Sequence, residues 1–170
     1  MRVQDVIRGA KHDLSVSDWG NGKMPKTKFP LSKAGKNAWS FGPAWDWRFA
    51  EFHFAGRQFV VRLMVCEGKS KAHMHLGLRT GRDTIVLCSY EYHIDHQTGW
   101  HLHTLCGDKN DIDAAPTGTL VHGPWVKRLP SARSRHNRTA FSRDGYGGLK
   151  PWLWSETVRF FRLGSKDMFD

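Results

Sequence analysis

From Arg48 onward, apolar and polar residues alternate with a period of two, the spacing of a strand with one buried face. "RFAEFHF" (48–54) reads as a strand, "AGRQ" as a turn and "QFVVRLMVC" (58–66) as its hairpin partner. "AHMHLGLR" (72–79), the turn "TGRD" and "TIVLCSYEY" (84–92) extend the series, and "WHLHTLC" (100–106) follows "HIDHQTG". Five strands in succession with short connections predict an antiparallel meander. Before it, residues 1–14 predict a short helix with Val3, Val6 and Ile7 on one side, and 15–47 read as mostly irregular, punctuated by Gly and Pro. The aromatics of that stretch (Trp19, Phe29, Trp39, Phe41, Trp45, Trp47) are expected to pin it to the body. After Gly107, "DKNDIDAAPTGT" reads as an acidic loop and "LVHGPWVKRL" (120–129) as one more strand. The tail "PWLWSETVRFFRLG" pulls both ways: Pro151 suits the start of a helix, while "TVRFFRL" has strong β-propensity. The expectation is one α+β domain over residues 1–170. It comprises a basic, loop-rich segment 1–47, a β-sheet core 48–122 and a basic segment 123–170.

Composition supports a packed core, with 39% hydrophobic residues, ten Phe and eight Trp in 170 residues. No apolar run approaches the roughly 18 to 20 residues of a membrane-spanning helix. The opening "MRVQDVIRGAKHDL" has no apolar leader region, so the chain reads as cytoplasmic. Cys66, Cys88 and Cys106 each fall in an apolar run, which predicts buried free thiols. No CxxC pair occurs, so a zinc ribbon has no support. Neither a Gly-rich phosphate loop nor a repeat is present.

The net charge of +10 is unevenly placed. Residues 1–47 carry eight Lys/Arg against four Asp/Glu, residues 48–122 eight against eight, and residues 123–163 nine against two. Concentrated cations create a local potential that attracts polyanions, and guanidinium groups grip phosphates bidentately. Lys127, Arg128, Arg133, Arg135, Arg138 and Arg143 in the C-terminal segment, with Lys26 and Lys28 in the N-terminal one, are therefore candidate nucleic-acid contacts. Lys23, Lys33 and Lys36 add to the N-terminal group. RNA or DNA is the expected partner, an acidic protein surface the alternative, and no membrane partner is expected because no amphipathic basic helix is evident.

Two His-x-His pairs stand out in the neutral centre: His73 and His75, then His101 and His103. Alternation puts Met74, Leu76 and Leu78 on one face of their strand and both histidines on the other. In "WHLHTLC", Trp100, Leu102 and Cys106 likewise oppose His101 and His103. If both apolar sets face the core, all four histidines share one side, and the strand running between them presents Ser89 and Glu91. Three chemistries fit: a polar sheet face, divalent-metal binding completed by a carboxylate such as Glu91 or Asp95, or metal-free proton transfer by His73, His75, His101 and His103.

"WHLHTL" also resembles the His-hydrophobic-His motif of HUH endonucleases, over His101, Leu102 and His103. That resemblance implies a divalent metal held by His101 and His103 on a central strand, and a nucleophilic tyrosine on a downstream helix. Tyr146 in "GYGGLK" is the only downstream tyrosine; it is flanked by glycines, and Lys150 follows at four positions rather than the usual three. The leading expectation is a basic nucleic-acid-binding domain whose histidine face cleaves phosphodiester bonds. A non-catalytic or inhibitory binder and a metal- or small-molecule-binding β-domain are the alternatives.

Overall fold

The computed structural model describes residues 1–33, 41–93, 99–105, 111–114, 117–118, 126–129 and 146–164; for 92–93, 99–105, 114 and 126–129 only the backbone is described. Among these residues, eight strands join in a single antiparallel sheet: β1 (His12–Val16), β2 (Gly20–Asn21), β3 (Asp46–Phe54), β4 (Arg57–Cys66), β5 (Lys71–Thr80), β6 (Asp83–His93), β7 (Gly99–Leu105) and β8 (Val126–Leu129). The order across the sheet is β1-β3-β4-β5-β6-β7-β8, with β2 also paired to β3. The predicted meander is therefore present from β3 to β8. The hairpin between β3 and β4 closes on two residues, Ala55 and Gly56, both at positive φ, a backbone that matches the twist of the flanking strands.

The structure differs from the sequence expectation at both ends. The N-terminal helix α1 (Val3–Arg8) is shorter than expected: β1 begins at His12, inside the stretch read as helix, and runs into the stretch read as irregular, which also forms β2. The ambiguous tail is a helix, α2 (Leu149–Phe161). Its buried residues Leu149, Trp152, Leu153, Thr157 and Phe161 recur at helical spacing, and that stripe prevails over the local β-propensity. Gly148 offers no capping side chain; Glu67, from the turn after β4, accepts hydrogen bonds from the N–H groups of Leu149 (2.7 Å) and Lys150 (3.2 Å) instead. Among the described residues, no helix is long and apolar enough to cross a membrane.

The two faces of the sheet are covered differently. One carries Phe52, Phe59, Val61, Leu63, Val65, Met74, Leu76 and Leu78, packed against α1 and α2. The other carries Phe49, Val60 and Val86, packed against Met24, Phe29 and Leu31 of the N-terminal segment. Phe29 approaches closely because residue 77 is glycine: a Cβ there would sit 3.0 Å from the Phe29 ring and 2.4 Å from the Thr84 methyl. Cys66 and Cys88 are buried and free, as expected, and burial pushes the Cys88 thiol up to about 12. Cys106 lies outside the described residues.

Asp83, at the start of β6, fastens this N-terminal cover. Its carboxylate accepts from the Ser32 N–H (3.1 Å), the Ser32 hydroxyl and the Thr84 N–H (2.9 Å). Partial burial alone would raise its pKa, but these bonds outweigh that and hold it below its ordinary value of 3.8. A carboxylate depressed in the folded state stabilises the fold above its unfolded pKa and loses that contribution as pH falls through the folded value. Asp83→Ala is expected to cost about 1 kcal/mol at neutral pH, because partial exposure screens the charged hydrogen bonds. The difference from wild type shrinks below about pH 4. Denaturant midpoints at pH 7 and pH 3 check both the size and the pH window.

Candidate functional site

β4, β5 and β6 bring five polar side chains together under the cover. His73 and His75 follow each other along β5, their rings 5.9 Å apart between centroids and nearly parallel. Across the ladder His73 faces Glu91 and His75 faces Ser89 on β6, while Arg62 on β4 faces His75. A β-bulge makes this possible. Leu76 pairs with Cys88 and Gly77 with Val86, leaving Leu87 as an extra residue. In an uninterrupted strand Ser89 and Glu91 would share a face with Ile85 and Leu87, which lie in the core against the helices. The bulge turns them to the histidine side.

The contacts are specific. The Ser89 hydroxyl donates to Glu91 Oε1 (2.7 Å), and His73 Nδ1 lies 3.9 Å from the same oxygen. The Arg62 guanidinium lies 3.4 Å from His75 Nδ1. A guanidinium only donates, so Nδ1 accepts and the neutral ring carries its proton on Nε2. The same guanidinium lies 4.5 Å over the Phe29 ring and 6.0 Å from that of Phe41. Burial pulls its pKa down to about 9, and the charge of Glu91 works against that fall.

The histidine side is not the solvated face that alternation by itself suggests. Arg62 is 1% exposed, Ser89 3% and His75 5%. Phe29 packs near His75 (6.4 Å between ring centroids) and Trp45 near His73 (5.6 Å). Of the aromatics expected to anchor the N-terminal segment, Phe29, Phe41 and Trp45 pack at this cluster, Trp47 packs on Phe49, Trp19 joins the core on the helix side, and Trp39 lies outside the described residues. The cluster opens to solvent at His73 and Glu91, whose side chains are 16% and 24% exposed.

The structure describes the other residues singled out in the sequence to differing extents. His101 and His103 lie on β7, their Cα positions opposite Glu91 and Ser89; the ladder thus runs Arg62, His75, Ser89, His103, Arg128 in one row and His73, Glu91, His101 in the next. Lys127 and Arg128 lie on β8, the last strand in the order among the described residues. The side chains of these four residues are outside the described part, as are residues 133, 135, 138 and 143 altogether. Lys26 and Lys28 are exposed on a 3₁₀ turn of the cover, held by Arg79, which donates to the carbonyls of Thr27 and Lys28. Tyr146 is 42% exposed in the turn ahead of α2 rather than on a helix, and among the described strands β7 stands next to the last of the order rather than at the centre. Both placements depart from what the HUH resemblance implies. Arg62 was not legible as a site residue, although one signal was present: a lone cation inside the apolar run "FVVRLMVC".

A separate cavity of about 620 Å³ lies beside α2, lined by Trp19, Asp46, Arg48, Glu67, Lys150 and Trp154. Its charges are already engaged. Asp46 pairs with Lys150 (2.8 Å), Glu67 caps the helix, and the Arg48 guanidinium lies 5.7 Å from the Trp19 ring and 4.6 Å from that of Trp154. No protein-family model matches the chain, and neither a curated protein nor a solved structure gives a significant match.

Proposed function

We propose that the protein binds nucleic acid through its basic segments and cleaves phosphodiester bonds at the cluster of His73, His75, Glu91 and Arg62. The observation that carries this reading is convergence: two imidazoles and a carboxylate place ligand atoms within 4.8 Å of one another, beside a buried guanidinium, in a chain of net charge +10. The reaction needs a group to draw the proton from the attacking oxygen, and His73 with Glu91 stands where solvent enters. It also needs positive charge where the phosphate gains negative charge, and Arg62 supplies it in a low-dielectric setting. Lys26 and Lys28 sit exposed on the segment that covers this face, as cations able to hold a nucleic-acid backbone.

The burial of Arg62 and His75 favours a second reading, in which the cluster only ties the cover to the sheet and the protein is a non-catalytic nucleic-acid binder. Incubating end-labelled RNA and single-stranded DNA with wild type and Glu91→Gln, with binding measured in parallel, separates the two. Cleavage by wild type alone supports the first. Equal binding without cleavage by either protein supports the second, and absence of binding rejects both.

A further inference from the structure

We infer that His73, His75 and Glu91 form a binding site for a transition-metal dication of the zinc class, and that Arg62 opposes its uptake. What the metal does in catalysis rests on the cleavage reading above; whether it binds does not. Two imidazoles and one carboxylate are the ligand set of open, three-ligand metal centres, which keep a further position for water or substrate. In this protein the three ligand atoms lie within 4.8 Å of one another on two adjacent strands. A tetrahedral ion with bonds near 2.0–2.2 Å needs its ligands about 3.3 Å apart, so the side chains must close by about 1.5 Å or less.

The surroundings suit such an ion. Ser89 donates to Glu91 Oε1 at 2.7 Å, a contact that fixes the carboxylate as the partners of metal-ligating carboxylates do. Trp45 and Phe29 flank the two rings and limit solvent access from the cover side, while His73 and Glu91 keep the open side. A metal bound there would bring its water toward neutral pKa and supply the hydroxide that phosphodiester hydrolysis consumes.

Arg62 works in the other direction. Its guanidinium occupies His75 Nδ1 as a donor. Ligation through Nδ1 displaces that contact directly. Ligation through Nε2 requires the proton to move to Nδ1, where the guanidinium then meets a donor instead of an acceptor. Whichever nitrogen His75 uses, uptake breaks the Arg62 contact and puts a dication beside a buried monocation. Arg62 is therefore a positioning residue that sets metal affinity and not a ligand.

Titration calorimetry and thermal unfolding with zinc chloride, and absorption with cobalt chloride, test this without any activity assay. Wild type is expected to take up one ion per chain, to unfold at higher temperature with zinc, and to show the visible bands of tetrahedral cobalt. Glu91→Gln and His73→Gln, both at the open side, are expected to weaken binding at least tenfold while keeping the wild-type circular dichroism. Arg62→Met, which keeps volume and removes the charge, is expected to bind about 10- to 100-fold more tightly. Zinc binding unchanged in both Glu91→Gln and His73→Gln, or absent from wild type and Arg62→Met alike, overturns the site. Unchanged or weaker binding by Arg62→Met overturns the role given to Arg62. A protein that binds the ion and cleaves nothing leaves the site standing and rejects the cleavage reading instead.

Discussion

His73→Ala is expected to lower phosphodiester cleavage by about 10²- to 10⁴-fold while leaving nucleic-acid binding within a few-fold of wild type. The size follows from what is removed: a group that moves a proton in the transition state, or a ligand that holds the ion doing so, each contributes on that scale. The separation from binding follows from position. His73 lies under Trp45 and beside Glu91, whereas the exposed cations of the cover, Lys26 and Lys28, stand on a different segment. His101→Ala and His103→Ala are expected to fall in the same range, because their backbone positions continue the two rows that hold Glu91 and Ser89. Tyr146→Phe is the counter-test. Tyr146 is exposed among glycines, and a nucleophile misplaced by 1 Å loses about a hundredfold in rate, so this variant should cleave like wild type. Loss of cleavage in Tyr146→Phe, with a covalent adduct trapped on wild type, would instead establish the mechanism that the HUH resemblance implies.

The sheet was legible because its signal is local. Strand after strand alternates, and the two-residue turns at Ala55–Gly56 and Gly81–Arg82 leave the chain no choice but to fold back on itself. The same alternation placed His73 and His75 correctly opposite Met74, Leu76 and Leu78. What alternation cannot show is the extra residue at Leu87. "TIVLCS" is apolar almost throughout, so a phase slip inside it leaves no trace in the pattern, yet that slip delivers Ser89 and Glu91 to the site. The cover was half legible. The aromatics of residues 15–47 announced an anchored segment, but nothing local says which face they settle on. That choice depends on Gly77 admitting Phe29 and on Asp83 holding Ser32 from 51 residues away. The helix α2 stayed ambiguous for a related reason: the carboxylate that caps it, Glu67, lies more than 80 residues earlier in the chain.

Nucleic-acid affinity is expected to fall steeply with salt. A protein that neutralises Z phosphates releases the counterions condensed on them, giving a slope of log affinity against log salt near −0.9Z on duplex DNA and −0.7Z on single strands. With three to five phosphates contacted, the slope is about −2 to −4.5, so a tenfold rise in salt weakens binding about 10²- to 10⁴·⁵-fold. On the proposed reading, Lys26 and Lys28 would supply two of these contacts from the cover, and the C-terminal arginines at 133, 135, 138 and 143 are the expected source of the rest. The double variant Lys26→Gln/Lys28→Gln should therefore make the slope shallower by about 1.4 to 1.8, and should do so equally on unrelated sequences, because phosphate contacts carry no base information. Fluorescence anisotropy over a salt series with a labelled single strand and a labelled duplex measures both slopes. A flat salt response would mean that the surplus charge serves another partner. A steep response untouched by the double variant would place the contacts in the C-terminal segment alone.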